Sequence, residues 1–94
     1  KPAKPRHPHE FCDDWPEVPC SDPIAEVARQ VALRLRDALD GVSLREARDL
    51  TGVDHTSIAD VVSGHAWPTL KTLARLEAGL EVDLWPGRLG VVGG

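Results

Sequence analysis

Apolar residues recur every three to four positions from residue 24 to residue 80, which is the spacing of amphipathic helices. The first run follows Asp22 and Pro23, a capping residue and a favoured first helical residue, and it stops at Gly41. Its apolar positions are Ile24, Val27, Ala28, Val31, Leu35, Ala38 and Leu39. The pattern predicts one long helix over this segment.

A second, short helix is predicted from the segment SLRE. Ser43 is placed to cap it, Glu46 stands where its side chain can return the bond, and Val42 with Ala47 matches a hydrophobic staple. We expect this helix to run to about Thr51.

A third helix is predicted after a turn at Gly52. Asp54 occupies its cap position, and Val53 with Ile58 repeats the staple arrangement. Gly64 is its expected end.

A fourth helix is predicted to begin after the capping residue Thr69 and to stop at Gly79. Its apolar face consists of Leu70, Leu73, Ala74 and Leu76. The residues expected to fold back on the core after it are Val82, Leu84 and Trp85. Trp67 and Trp85 are interpreted as core or hinge aromatics. No strand pattern and no internal repeat occurs, so the predicted fold class is all-α.

The first part of the chain has a different composition, because six prolines lie in residues 1–23 and exclude a regular helix there. Phe11 and Trp15 either anchor this segment to the domain or belong to a free tail. The chain therefore divides into a Pro-rich N-terminal arm (1–21), a helical domain (22–86) and a flexible C-terminal end (87–94).

Two short capped helices joined by a tight turn have the layout of a helix-turn-helix. The longer run is SLREARDLTGVDHTSIADVVSGHAWPTLKTLARLEAGLEVDLWP. It resembles the phage repressor and Cro-like (XRE) family of helix-turn-helix DNA-binding regulators, in particular small members from high-GC bacteria and their phages. The resemblance covers about residues 24–86 and implies a compact four- to five-helix, lambda-repressor-like domain whose third helix reads bases in the major groove.

The resemblance also implies the site residues. His55 and Thr56 fall where the family makes its first base contacts, and Ser57 and Asp60 follow along the exposed face. The polar side chains assigned to flanking phosphates are Ser43, Arg45, Arg48, His65 and Lys71. The alternative is that Asp54, Thr56 and Ser57 only cap and solvate the helix.

Two positions depart from the family pattern. Arg48 stands where the family prefers a small residue between the two helices, so either the second helix is rotated and Ala47 fills the contact, or Arg48 lies along the surface. The usual Leu-Gly stop of the fourth helix is replaced by Gly79, Leu80 and Glu81, which leaves the exit from that helix open.

The charge balance is unusual for a nucleic-acid binder, because the chain has a net charge of -4 and the third helix carries no lysine or arginine. Lys1, Lys4 and Arg6 are candidates for a basic arm in an adjacent minor groove. The alternative function is an acidic helix-turn-helix protein-interaction module, such as an antitoxin, an adaptor or a phage anti-host factor.

Four potential metal ligands cluster in the arm, namely His7, His9, Cys12 and Cys20. They could form a zinc site, or the cysteines could pair, but the spacing matches no defensible zinc pattern. Two free thiols are expected, because disulfides are rare inside cells. No cofactor is predicted.

Catalysis is not expected. Asp54, His55 and Ser57 include the residue types of a triad, but neighbours at a helix start point in different directions and cannot form the hydrogen-bond relay.

The sequence thus predicts a sequence-specific regulator of double-stranded DNA, a repressor of bacterial or phage origin. No apolar run approaches the roughly 18 residues of a membrane span, so we expect a soluble, cytoplasmic, nucleoid-associated protein. It acts either as a monomer using the basic arm or as a homodimer. The residues available for pairing are Leu84, Trp85, Leu89, Val91 and Val92.

Overall fold

The computed structural model describes residues 7–87, in which four α-helices follow a short 3-10 helix. The 3-10 helix is Pro8–Phe11, and the α-helices are α1 (Pro23–Ala38), α2 (Leu44–Thr51), α3 (His55–Ser63) and α4 (Leu70–Leu80). Within the described range there is no strand, and the all-α prediction is confirmed. No helix in that range is long and apolar enough to cross a membrane.

All four helices begin where the capping residues predict. The side chain of Asp22 accepts from the backbone N–H groups of Ile24 and Ala25, and the other three caps make the same kind of bond. They are Ser43 to Glu46, Asp54 to Thr56, and Thr69 to Thr72. Each cap accepts from N–H groups that have no partner inside the helix. This need favours a few residue types at the cap position, so helix starts can be predicted from the sequence.

The core lies where one face of each helix meets the others. Its buried residues are Val31, Leu35, Ala47, Val53, Ile58, Val61, Leu73, Leu76 and Leu84. Ala47 is fully buried, whereas Arg48 lies on the surface with its guanidinium 3.3 Å from the carboxylate of Asp49. Ala47 therefore fills the contact that the family reserves for a small residue, and Arg48 remains in water.

The predicted end of α4 at Gly79 is wrong. α4 continues to Leu80, and Glu81 adopts the left-handed conformation that ends it, with φ 56°. Gly79 lies inside the helix against α2, where a Cβ atom would come within 2.5 Å of the Leu50 carbonyl oxygen and 2.6 Å of the Thr51 Cα. The glycine therefore permits close helix packing instead of a stop, a role that depends on a neighbour outside its own helix.

Two large apolar residues of the predicted helix faces are on the surface: Ile24 is 65% exposed and Leu70 is 84% exposed. Both belong to the first turn of their helix. Trp67 and Trp85 are also partly exposed, so of their interpretation as core or hinge aromatics the core part is wrong and the hinge part stays a prediction. The predicted return of the chain after α4 is confirmed at Leu84, which is fully buried.

The N-terminal arm, from residue 7 onward, is anchored to the helices instead of forming a free tail. Pro8 is buried, Phe11 makes an edge contact with Trp67 at 5.9 Å, and the indole Nε1 of Trp15 donates to the Val62 carbonyl oxygen at 2.9 Å. The arm therefore packs on the C-terminal end of α3 and the loop that follows it.

The expectation of two free thiols is wrong, because Cys12 and Cys20 form a disulfide. The chain between them folds back and brings their Cα atoms to 4.5 Å, within the range that a disulfide spans. With both sulfurs bonded to each other, the alternative of a zinc site formed by the two cysteines with His7 and His9 is not assembled. No group of three or more His, Cys, Asp or Glu side chains in residues 7–87 is arranged to hold a metal ion.

Candidate nucleic-acid interface

The first turn of α3 presents three consecutive exposed polar residues. His55, Thr56 and Ser57 are exposed, and Asp60, one turn after Thr56, is partly exposed on the same side. Ile58 is fully buried in the core. The helix is therefore held from one side by apolar packing, and it brings the four predicted base-reading residues to one solvent-facing end.

Asp54 caps this turn, as predicted. Its Oδ2 accepts from the backbone N–H of Thr56 at 3.0 Å, and its Oδ1 lies 3.7 Å from Nδ1 of His55. The carboxylate faces the positive end of the helix dipole, which favours a negative charge there. The Asp54 carboxylate bonds to the Thr56 backbone, and its distance to the His55 ring exceeds that of a hydrogen bond. Asp54, His55 and Ser57 therefore do not form the hydrogen-bond relay of a catalytic triad.

The N-terminus of α2 carries the exposed capping residue Ser43. Ser43 is exposed, and its Oγ accepts from the Glu46 N–H at 3.1 Å while donating to the Glu46 carboxylate at 3.4 Å. The predicted return bond from Glu46 to the Ser43 backbone is therefore replaced by a bond between the two side chains.

The predicted phosphate-contacting cations differ in how free they are. Arg45 and Lys71 are exposed and form no ion pair with any residue between 7 and 87. Arg48 is held by Asp49, which offsets part of its charge. Arg75, which the sequence did not single out, is exposed one turn after Lys71 on α4; the i, i+4 spacing from Lys71 was the available signal.

His65 lies just beyond the opposite end of α3 from His55, and the nine residues of that helix span about 13.5 Å at 1.5 Å per residue. Its Nδ1 is 2.8 Å from the Ser63 hydroxyl, and its ring centroid is 4.3 Å from that of His9 in the arm. His7 is the third ring of this group, 6.0 Å from His9. The structure thus brings His65 together with the arm, and not with the first turn of α3.

Gly64 is the joint at which the arm meets α3. It has φ 77°, and a Cβ atom there would lie 2.6 Å from the Trp15 ring and 2.8 Å from Cβ of His9. The His9 N–H also donates to the Gly64 carbonyl oxygen at 3.0 Å. Lys1, Lys4 and Arg6, the predicted minor-groove residues, lie outside the described residues.

The described part of the chain is more acidic than the whole. All fifteen acidic residues lie between residues 7 and 87, whereas four of the eleven lysines and arginines lie outside that range. Arg29 is also unavailable to a ligand, because its side chain is only 8% exposed and is paired with Glu26. Attraction of an anion to this surface therefore depends on a few exposed cations near α3, namely Arg45, Lys71 and Arg75.

A family model described as helix-turn-helix matches residues 33–84, which is more than half of the chain. The match begins inside α1 and includes α2, α3 and α4, so the arm lies outside it. Neither a curated protein nor a solved structure matches the chain at a significant level.

Proposed function

The chain belongs to the helix-turn-helix family of phage repressor and Cro-like DNA-binding regulators, and from this premise we propose that it reads specific sequences of double-stranded DNA with α3 in the major groove. The observation that supports this most is the exposed polar first turn of α3 on a helix whose other face is buried. A helix held in this way can offer the same side chains in the same register to every duplex it meets.

The chemistry of the four side chains suits base edges. The hydroxyls of Thr56 and Ser57 donate or accept, and the Thr56 methyl group can contact a thymine methyl. Asp60 accepts from a cytosine amino group, and His55 donates or accepts according to its tautomer. None of the four supplies net attraction to phosphate, so their contribution is selectivity.

Attraction to the backbone comes from the residues around α3. Ser43 and the N–H groups at the start of α2 receive one phosphate, since a helix N-terminus favours an anion. Arg45, Arg48, His65 and Lys71 are assigned to flanking phosphates, and Arg75 is added to them. Lys1, Lys4 and Arg6 supplement these contacts as a basic arm in the minor groove.

The biological role that follows is that of a repressor from a bacterium or its phage, which occupies an operator inside the cell and blocks transcription. Two-fold pairing through the segment after α4 would place two copies of α3 on two half-sites. Trp85 in this segment is half-exposed, whereas Leu84 is fully buried in the core, so the expectation that Leu84 is available for pairing is wrong.

Selection from a pool of random duplexes tests this proposal. At about 50 mM salt, where phosphate contacts are strong, the purified chain should enrich a defined sequence. Thr56→Ala or His55→Ala should then lose roughly 1–3 kcal/mol of binding free energy at one base position, because one set of base-edge contacts is removed.

The matched control is Ser21→Ala, another exposed polar residue, which lies before α1. It should leave both affinity and base preference unchanged. Equal weakening of the Thr56 variant on every duplex, or no enrichment of any sequence by the parent chain, would count against base reading.

The acidity of the described residues favours one alternative, a protein-interaction module that presents α3 to a partner protein, as an antitoxin, an adaptor or a phage anti-host factor does. Its test is a pull-down with the full chain. A stoichiometric partner that is lost on substitution in residues 55–62, together with no duplex selection, would establish it in place of DNA reading.

A further inference from the structure

The disulfide between Cys12 and Cys20 closes a loop, residues 12–20, that lies between α1 and the C-terminal end of α3. We refer to it as the disulfide loop. It lies outside the matched helix-turn-helix region, and the DNA-reading proposal makes no use of it. Its contacts with α1 and α3 indicate that it supports the end of α3.

On one side the disulfide loop supports the end of α3. The Trp15 indole donates to the carbonyl oxygen of Val62 and its ring covers Gly64. Carbonyl groups in the last turn of a helix have no partner within that helix, so Trp15 acts as a cap supplied by a segment 47 residues away in sequence. A helix of nine residues such as α3 is marginal by itself and depends on such contacts.

On the other side the loop is attached to α1. The Arg29 guanidinium donates to the Pro16 carbonyl oxygen at 2.9 Å and binds both carboxylate oxygens of Glu26. Glu26 in turn accepts from the Cys20 N–H at 2.8 Å. The disulfide therefore joins two attached parts of the arm. Cys20 is bonded to α1 through Glu26, and Cys12 is bonded to His9, whose own N–H donates to the Gly64 carbonyl oxygen.

We propose that Cys12 and Cys20 form a redox-controlled site that sets how firmly Trp15 supports α3, and thereby sets the affinity for DNA. The cross-link restricts the conformations of residues 12–20, and its removal lets Trp15 leave Val62 and Gly64 more often. The effect on DNA rests on the proposed function, whereas the effect on α3 does not.

The chemistry requires a dithiol reductant. One of its thiolates attacks a sulfur of the disulfide to form a mixed disulfide and release one cysteine thiolate. The second thiol of the reductant then attacks the mixed disulfide, releases the other cysteine and leaves as an intramolecular disulfide. Two electrons and two protons are transferred to Cys12 and Cys20. Both cysteines are partly exposed, which gives the reductant access.

The redox state of the compartment decides which form of the two cysteines is the usual one. A regulator that acts on DNA works where cellular thiols keep cysteines reduced, and paired cysteines in such compartments are usually transient or redox-sensing. Under those conditions the reduced chain is the resting form. When the dithiol carrier is itself oxidised, the exchange runs in reverse: the carrier's disulfide takes two electrons and two protons from Cys12 and Cys20, and their disulfide forms. The disulfide then restrains the end of α3 and strengthens DNA binding.

The experiment compares the full chain before and after treatment with dithiothreitol, with two readouts. Amide hydrogen exchange is measured at Gly64 and His65, whose N–H groups bond to Val61 and Asp60. Affinity is measured on the selected duplex. Reduction should accelerate exchange at these two amides and weaken affinity about fivefold, as expected for one lost hydrogen bond.

Two variants make the result decisive. Cys12→Ser with Cys20→Ser should behave as the reduced chain and should not respond to dithiothreitol. Trp15→Phe keeps the disulfide but lacks the indole donor, so it should show the fast exchange while oxidised, and it remains informative if the cysteine variant does not fold.

The outcomes separate the two proposals. If neither redox state selects a duplex, DNA reading fails and the exchange measurement still tests the disulfide loop. If exchange at Gly64 and His65 is the same in both redox states, or if affinity for a selected duplex does not change, redox control of this site is overturned.

Discussion

Among single residues, Gly79 is the position at which substitution by alanine is expected to be unusually unfavourable for a helix. In an open helix, Gly→Ala stabilises by about 1 kcal/mol. Here the new methyl group would meet the backbone of Leu50 and Thr51, which cannot rotate away. Gly79→Ala should therefore lower the free energy of unfolding by roughly 1–3 kcal/mol, as overpacking does.

Urea unfolding of the Gly79 variant beside Ala78→Gly provides the matched pair. Ala78 is the exposed neighbour of Gly79 on α4, and its change to glycine should cost about 1 kcal/mol through helix propensity alone. A stabilised Gly79→Ala protein would show that α2 and α4 do not approach as described.

At the scale of elements, the Glu26–Arg29 pair joins the disulfide loop to α1. The hydrogen bonds from Arg29, supported by Gln30 and the Cys20 N–H, lower the pKa of Glu26 from 4.5 to about 2 against the opposing effect of burial. The charged form of the Glu26 carboxylate is therefore stabilised more in the folded state than in the unfolded chain. Its contribution to stability is complete above about pH 4.5 and is lost as the pH falls towards about 2.

Glu26→Gln should accordingly lower the free energy of unfolding by about 3 kcal/mol at pH 7, because it leaves the buried Arg29 without its counter-charge. The difference from the parent chain should shrink as the pH is lowered from 5 to about 2. Urea unfolding across this range measures it, with Glu17→Gln as control. The exposed pair of Glu17 with Arg36 should contribute less than about 1 kcal/mol. A Glu26 effect that is independent of pH would contradict the proposed role of its charge.

At the scale of the whole molecule, a net charge of -4 leaves few cations to neutralise phosphates. Removing one phosphate contact lowers the slope of log affinity against log salt by about 0.9. Arg45→Gln and Lys71→Gln should each produce this change while leaving base preference intact.

Binding titrations on the selected duplex between about 50 and 200 mM salt measure the slope. Arg36→Gln is the control, since Arg36 is paired with Glu17 on α1 and is assigned to no DNA contact. An equal change of slope in all three variants would indicate a long-range charge effect in place of direct phosphate contacts.

The helix starts and the turn of the candidate site were predictable because their signals are local. Asp22, Ser43, Asp54 and Thr69 each bond to a backbone group two or three residues ahead, so neighbouring residues suffice to place the cap. The exposed polar turn of α3 followed for the same reason, since the buried Ile58 sets which side faces solvent.

The role of Gly79, the neighbours of His65 and the pairing of Cys12 with Cys20 were not predictable in this way. Each depends on a contact with a segment distant in sequence, such as the hydrogen bond from Trp15 to Val62 or the packing of Leu50 against Gly79. The four helices, their starts and the polar turn of α3 can be derived from the amino-acid order alone, because capping and periodicity act over a few residues. The support of α3 by the arm is visible only in the folded chain, because that contact joins residues that sequence spacing does not relate.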